Sequence, residues 1–207
     1  MKHKLDLTNW QRRDHYHFFK QFEEPFFGVC VQIDCSIAHT IAKESGCSFF
    51  LYYLYKSLAA ANQITPFRYR IEGDEVMVHD QVHASPTINR PDGTFGFAYI
   101  DYQPSFKDFL DGAAKEIDRV QNSSGLVPAI SGENVIHYSS LPWINFTSLS
   151  HARSFSFNDS CPKISFGKMT ERDGKKEMPL SIHVHHALMD GFHVGQYIDL
   201  FQQLMNE

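Results

Sequence analysis

Sulfur chemistry is sparse in this chain. Its four cysteines, Cys30, Cys35, Cys47 and Cys161, form no Cys-x-x-Cys pair, and their spacing suits neither a zinc site nor a disulfide framework. Long apolar runs are missing too: none approaches the roughly 18–20 residues of a membrane span. Met1 to Trp10 is charged and has no apolar stretch of the signal-peptide kind. These absences lead to the expectation of a reduced, cytoplasmic, soluble protein with no membrane partner. Positive charge is short as well. Nineteen Lys and Arg stand against 24 Asp and Glu, a net charge of −5, so no basic patch of the kind that binds nucleic acid is expected. The densest basic group, Arg172 to Lys176, lies between two strand-like runs and reads as a solvated hairpin. With no internal repeat and no low-complexity linker, residues 1–207 are expected to form a single domain.

Aromatic residues, in contrast, are plentiful: 18 Phe and 9 Tyr in 207 residues. Most are expected in the core, and the excess is expected to line an apolar pocket or a subunit interface. Trp10 to Phe22 reads as the start of a short helix. Phe26 to Ile33 alternates like a strand. Ser36 is placed to cap a helix to about Ser45, stopped by Gly46, and Ser48 precedes an almost wholly apolar, hence buried, helix over Phe49 to Asn62. Phe67 to Ile71 and Glu75 to His79 read as a hairpin around Gly73-Asp74. Val82 to Asn89 and Thr94 to Asp101 follow as strands, and Pro104 opens an amphipathic helix to about Gln121. Val135 to Ser139, Asn145 to Ser156, Lys163 to Met169 and Met178 to His185 read as strands, before a last helix over roughly Gly191 to Met205. The fold class is α/β or α+β in two layers, a mixed sheet with helices packed on one face.

The most distinctive stretch is His183-Val184-His185-His186-Ala187-Leu188-Met189-Asp190-Gly191. It joins the end of the last strand to the last helix. A histidine there can act as a base near neutral pH. Strand alternation puts His183 and His185 on one face and His186 on the other. A His-x-His pair with a later Asp can bind a metal, but a zinc site wants three or four ligands and no further cluster is in view. Hydrogen-bonded core histidines are the alternative for His183 and His185; the local pattern leaves His186 open between structural and chemical roles.

The run His185-His186-Ala187-Leu188-Met189-Asp190-Gly191-Phe192-His193-Val194 resembles the carboxy-terminal signature of the chloramphenicol acetyltransferase family. Asn9-Trp10-x-Arg12-Arg13 resembles the family's opening segment, and Ser139-x-x-Pro142-Trp143-x-Asn145-Phe146 its central serine segment. Pro179-Leu180-Ser181-Ile182-x-Val184 leads into the histidine motif as in family members. The shorter His-x-x-x-Asp-Gly is shared with the acyltransferase cores of 2-oxo acid dehydrogenase complexes and with peptide-synthetase condensation domains. A dehydrogenase-complex core would be preceded by lipoyl and subunit-binding segments, for which a chain entering its fold by Trp10 is expected to have no room.

The resemblance implies transfer of acetyl from acetyl-CoA to a hydroxyl without a metal, most simply the 3-hydroxyl of chloramphenicol, giving antibiotic resistance. It implies His186 as general base and Ser139 as the hydroxyl donor to the oxyanion. Asp190 is implied to pair with Arg12, with Arg13 as a rival, and to hold the base's loop in shape rather than to complete a triad. Ser165 matches a position, usually threonine, whose hydroxyl binds a water near the transition state. Lys168 matches a lysine near the coenzyme. The family is a homotrimer whose active sites lie between subunits. Phe18, Phe19, Phe95, Val127 and Leu149 match positions lining the acceptor pocket. Phe19 stands where tyrosine is usual, Val127 replaces a phenylalanine, Pro25 a small residue, His137 an asparagine and His151 an apolar residue. The acceptor is therefore left open to another hydroxylated or amino compound, since each altered contact in an apolar pocket shifts discrimination by about 1–3 kcal/mol. A non-catalytic binding protein on the same scaffold would have no reason to keep His186, Ser139, Asp190 and Arg12 together.

Overall fold

Alternating apolar residues build one large sheet, and the helices take up its apolar side. The computed structural model describes residues 1–126, 132–154 and 159–207. Its strands are β1 (Lys2–Lys4), β2 (Phe26–Asp34), β3 (Tyr69–Glu72), β4 (Glu75–His79), β5 (His83–Asn89), β6 (Phe95–Phe97), β7 (Val135–Ser140), β8 (Lys163–Phe166), β9 (Thr170–Arg172) and β10 (Lys175–His185). Its helices are α1 (Arg13–Phe19), α2 (Ser36–Glu44), α3 (Phe49–Gln63), α4 (Phe106–Gln121) and α5 (Gly191–Met205), with a 3₁₀ turn over Thr65–Arg68. The larger sheet runs β2-β10-β8-β7-β5-β6 with β9 paired to β10; a small one runs β1-β4-β3. β7 is parallel to β5 and β8, and the other pairs are antiparallel, so the sheet is mixed.

Register separates two faces. The row Val29–Ile182–Ile164–Tyr138–Pro86 crosses five strands. It meets Ala38 of α2, Leu54 and Leu58 of α3, Phe109 of α4 and Tyr197 and Phe201 of α5 in the main core. Fully burying one such Leu, Ile or Phe stabilises the fold by about 1.5–3 kcal/mol. The neighbouring row, Gly28–His183–Lys163–His137–Ser85, points to the opposite face, because side chains alternate along each strand. One pleat repeat further on lie Cys30, Ser181, Ser165 and Ser139. The face away from the helices is thus lined with imidazoles and hydroxyls. α1 instead joins the small sheet, where Tyr16 packs with Tyr69, Val76, Val78, Ala187 and Leu188. That second cluster brings the amino-terminal segment to the histidine loop.

The sheet, the helical layer and the terminal helix agree with the sequence reading, and several boundaries differ. Residues 145–154 do not form a strand. β7 and β8 are parallel neighbours, so the connection between them cannot be a tight hairpin; of its described residues, Ile144 accepts at its carbonyl from Lys168 N–H at 2.8 Å and the His151 ring stands edge-on to His183, on the sheet face, at 4.8 Å. Cys35, not Ser36, occupies the N-cap of α2; the Ser36 hydroxyl accepts from the Lys176 N–H instead. α4 begins two residues after Pro104, because the Ser105 hydroxyl caps it by accepting from Asp108 N–H. Phe67 falls in the 3₁₀ turn, so that hairpin starts at Tyr69. The basic stretch is the expected hairpin: Asp173 and Gly174 both take positive φ (53° and 77°) between β9 and β10, as a two-residue turn requires.

Candidate active site

β10 ends at His185, and the next residue turns out of the sheet. His186 N–H donates to the Pro25 carbonyl at 2.8 Å, which fixes the loop to the segment before β2. The His186 Nδ1 lies 3.2 Å from the Met189 carbonyl. A carbonyl can only accept, so Nδ1 carries a proton, and in the neutral ring the lone pair is the one on Nε2. Phe19 stacks on the imidazole at 3.9 Å with 19° between planes, and Phe27 lies against it at 4.7 Å. The ring is held between Phe19 of α1 and Phe27 of β2, and among the described residues no hydrogen bond to its Nε2 is seen.

Arg12 supports this loop from the amino-terminal segment. Its guanidinium pairs with the Asp190 carboxylate and also donates to the His186 carbonyl at 3.2 Å. Arg13 points elsewhere, toward Asp14 at 3.4 Å, which resolves the rivalry in favour of Arg12. Asp190 is also the N-cap of α5. Its carboxylate accepts from Phe192 N–H at 3.1 Å and lies 2.9 Å from His193 Nδ1. Burial pushes the Asp190 carboxyl up, but Arg12, then His193 and the cap hydrogen bonds outweigh it, and the group sits below the usual carboxylate range. Asp190 therefore stays charged at neutral pH and joins helix start, arginine and histidine loop. Among the described residues its carboxylate hydrogen-bonds with Arg12, Phe192 N–H and His193, while the His186 ring bonds the Met189 carbonyl.

Asp190→Asn tests this joint cleanly. Asn is as good an N-cap as Asp, so the helix start survives while the charge pairing is lost. With Asp190 34% exposed and Arg12 13%, the variant is expected to fold. A loop shift of about 1 Å then lowers kcat on the order of 10²-fold, with KM nearly unchanged. Steady-state kinetics at wild-type circular dichroism checks it; an unchanged kcat would mean that the pair positions nothing.

The other expected site residues gather elsewhere. Ser139 is half-buried on β7, level with Ser165 on β8 and Ser181 on β10. The Ser165 hydroxyl is buried without a hydrogen-bond partner among the described residues. His137, His151 and His183 lie beside this row. Burial, then Lys163, brings the His137 pKa down to about 4; burial, then His183, does the same for His151. Both imidazoles are neutral at pH 7. The His183 ring lies flat over Gly28, whose missing Cβ leaves the room it occupies, and it is tied by a backbone hydrogen bond to half-buried Leu149. Lys168 is exposed just beyond β8.

Within one chain these two groups do not meet. Ser139 is two strand spacings from Ser181, and His186 lies five residues beyond Ser181, so their Cα atoms are on the order of 15–20 Å apart. Phe95 is exposed on β6, at the opposite edge of the sheet from β2. Phe18 is also exposed, with its ring against Phe19 at 5.0 Å. Val127 lies outside the described residues. The sequence reading missed the Met189 carbonyl, which as a backbone group leaves no trace in sequence. It also missed His193, which the Asp-x-x-His spacing of a capping box could have signalled, and Phe27, whose inward turn depends on tertiary packing.

Known proteins share this fold and, over nearly the whole chain, its sequence pattern. The family model described as chloramphenicol acetyltransferase matches residues 1–202. Chloramphenicol acetyltransferase 3 of Escherichia coli is 30% identical over 206 residues, covering 98% of this chain and 96% of its own length. A solved chloramphenicol acetyltransferase structure, 29% identical, superposes with a TM-score of 0.92 over 99% of this chain and 100% of that one. A probable dihydrolipoamide acetyltransferase from Listeria monocytogenes shares the fold at 16% identity, with a TM-score of 0.69 over 93% of this chain and 88% of its own. The family uses acetyl-CoA as co-substrate. With the histidine loop, its arginine–aspartate brace and the mixed sheet all in place, the chain belongs to the chloramphenicol acetyltransferase family and is an acyltransferase of that family.

Proposed function

We propose that this chain, acting as one catalytic domain over residues 1–207, acetylates the 3-hydroxyl of chloramphenicol from acetyl-CoA and so confers resistance in the cytoplasm. The observation that carries the reading is the His186 ring, whose Nδ1 is committed to the Met189 carbonyl while its Nε2 is left as a base. Nε2 takes the acceptor's hydroxyl proton as that oxygen attacks the thioester carbonyl. The Ser139 hydroxyl donates to the tetrahedral oxyanion, and Ser165 holds a water nearby. When the intermediate collapses, the carbon–sulfur bond breaks and the imidazolium returns its proton to the departing CoA sulfur. A positioned base contributes about 10²–10⁴-fold to such a step. Arg12 and Asp190 position the base, and Lys168 lies toward the coenzyme. Phe18, Phe19, Phe95 and Leu149 line the acceptor pocket, and Val127 is assigned to it by the family resemblance alone.

With His186 and Ser139 on the order of 15–20 Å apart within a single chain, each site combines His186 of one copy with Ser139 of another, as in a homotrimer. The exposed rings of Phe18, Phe22, Phe95, Trp143 and Phe192 support burial of further surface between copies.

A second acceptor is favoured by one observation. His137 and His151 line the sheet face beside Ser139, next to His183, so the pocket offers two neutral imidazoles where an amide and an apolar side chain are expected. An acceptor with more hydrogen-bonding groups would suit them. The test is release of free thiol from acetyl-CoA by the purified protein with chloramphenicol. Rapid release is expected. Background hydrolysis alone would remove chloramphenicol as acceptor, and the same readout then serves a series of hydroxylated and amino compounds.

A further inference from the structure

Beside the hydroxyl row, three potential metal ligands converge from two segments. His137 comes from β7, and Asp159 and Cys161 come from the turn into β8. One ring nitrogen, one carboxylate oxygen and the thiol sulfur lie within 4.8 Å of one another. In a tetrahedral zinc site, metal–ligand bonds of about 2.0–2.3 Å put ligand atoms roughly 3.3–3.8 Å apart, so small side-chain rotations close the gap. Imidazole, thiolate and carboxylate together are the donor set of a borderline-soft dication, not of calcium or magnesium. A second observation points the same way. Glu133 lines the same cavity as these three residues, and its Oε2 is buried without a hydrogen-bond partner among the described residues. A cation bound in this cavity would give that oxygen a partner. The Cys161 thiol already lies 3.4 Å from the Glu133 carbonyl, which holds the two segments together.

We propose that His137, Asp159 and Cys161 form a zinc-binding site, with Glu133 as the fourth ligand or the partner of a bound water. Two cations compete for Asp159: Lys163, whose ammonium pairs with it, and Arg153, which lines the same cavity and also lies over the Phe26 ring. Lys163 keeps other partners when zinc takes the carboxylate: the Cys161 carbonyl at 3.2 Å and the face of Phe26 at 4.5 Å. On binding, the Cys161 thiol proton leaves to solvent, and the charges of thiolate and Asp159 balance the dication. Sequence spacing alone hides the site, because strand pairing between β7 and β8 brings His137 to the turn. His137 is two residues before Ser139 on the same face, so a bound ion would sit beside the proposed transfer site. That consequence rests on the acetyltransferase reading; metal binding itself does not.

The experiment titrates zinc into the free protein against a chromogenic indicator, under a non-thiol reductant, with cobalt as a spectroscopic substitute. One equivalent per chain is expected, with a near-ultraviolet thiolate-to-cobalt band. In Cys161→Ser that band disappears. In Cys161→Ser and His137→Asn, zinc affinity falls by more than the 10–100-fold that an outer-shell partner alone typically carries. Circular dichroism confirms that both variants fold. If Cys161→Ser fails to fold, the wild-type cobalt band and His137→Asn decide. No thiolate band, or zinc binding unchanged in the folded variants, overturns the site, since the binding would then belong to other histidines.

Discussion

His186→Ala is expected to lower kcat by about 10²–10⁴-fold, the range a positioned general base supplies, with little change in KM. The substitution leaves the loop's backbone anchors intact: the N–H to Pro25 and the carbonyl accepting from Arg12 do not depend on the side chain. The loop should therefore keep its place and the circular dichroism its shape. What is lost is the Nε2 lone pair and the surface on which Phe19 stacks. His186→Gln separates these two losses, since an amide fills part of the space and can donate to the Met189 carbonyl but is no base. Both variants should be equally inactive in thiol release from acetyl-CoA. If His186→Gln recovers most of the activity, the ring is packing and the base lies elsewhere; retention within tenfold by His186→Ala would mean the same.

The parts of the molecule written in local sequence were the parts legible in it. The last helix, Gly191 to Met205, is bounded by an aspartate cap and an apolar period, both local. The hairpin at Asp173-Gly174 is fixed by residues that tolerate positive φ. The Arg12–Asp190 pairing is different in kind: 178 residues separate the partners, and only the resemblance to a family suggested it. What failed did so for tertiary reasons. Asn145 to Ser156 has strand composition, yet its described part, residues 145–154, is not a strand: the parallel pairing of β7 and β8 leaves it no place in the sheet; residues 155 and 156 lie outside the described residues. The Pro104 reading gave way to a better cap one residue later. The candidate site divided the same way. Which residue types are present was legible, whereas which of them share a space was not. The order of strands sets His137 beside Cys161 and keeps Ser139 away from His186, and strand order is a property of the whole chain.

Two inactive variants, Ser139→Ala and His186→Ala, are expected to restore activity when their subunits are mixed. Alone, Ser139→Ala should lose about 10²–10³-fold in turnover, as removal of one oxyanion donor does. The geometry behind the recovery is the separation of Ser139 and His186 across two strand spacings and five residues of one chain. A general base must reach its proton within hydrogen-bonding distance, and the oxyanion donor must reach the same reacting centre. No side-chain rotation spans on the order of 15 Å. A complete site then takes its base from a His186-bearing copy and its donor from a Ser139-bearing one. After co-refolding or co-expression at equal amounts, about one site in four draws both from the right copies, so roughly a quarter of wild-type activity returns. That fraction is the same for any closed ring, and the mass of the assembly in solution sets the number of copies, expected to be three. If His186 and Ser139 of one chain acted together, every mixed assembly would hold only broken sites. The mixture would then stay at the level of its parents, and the site would have to be rebuilt within a single copy.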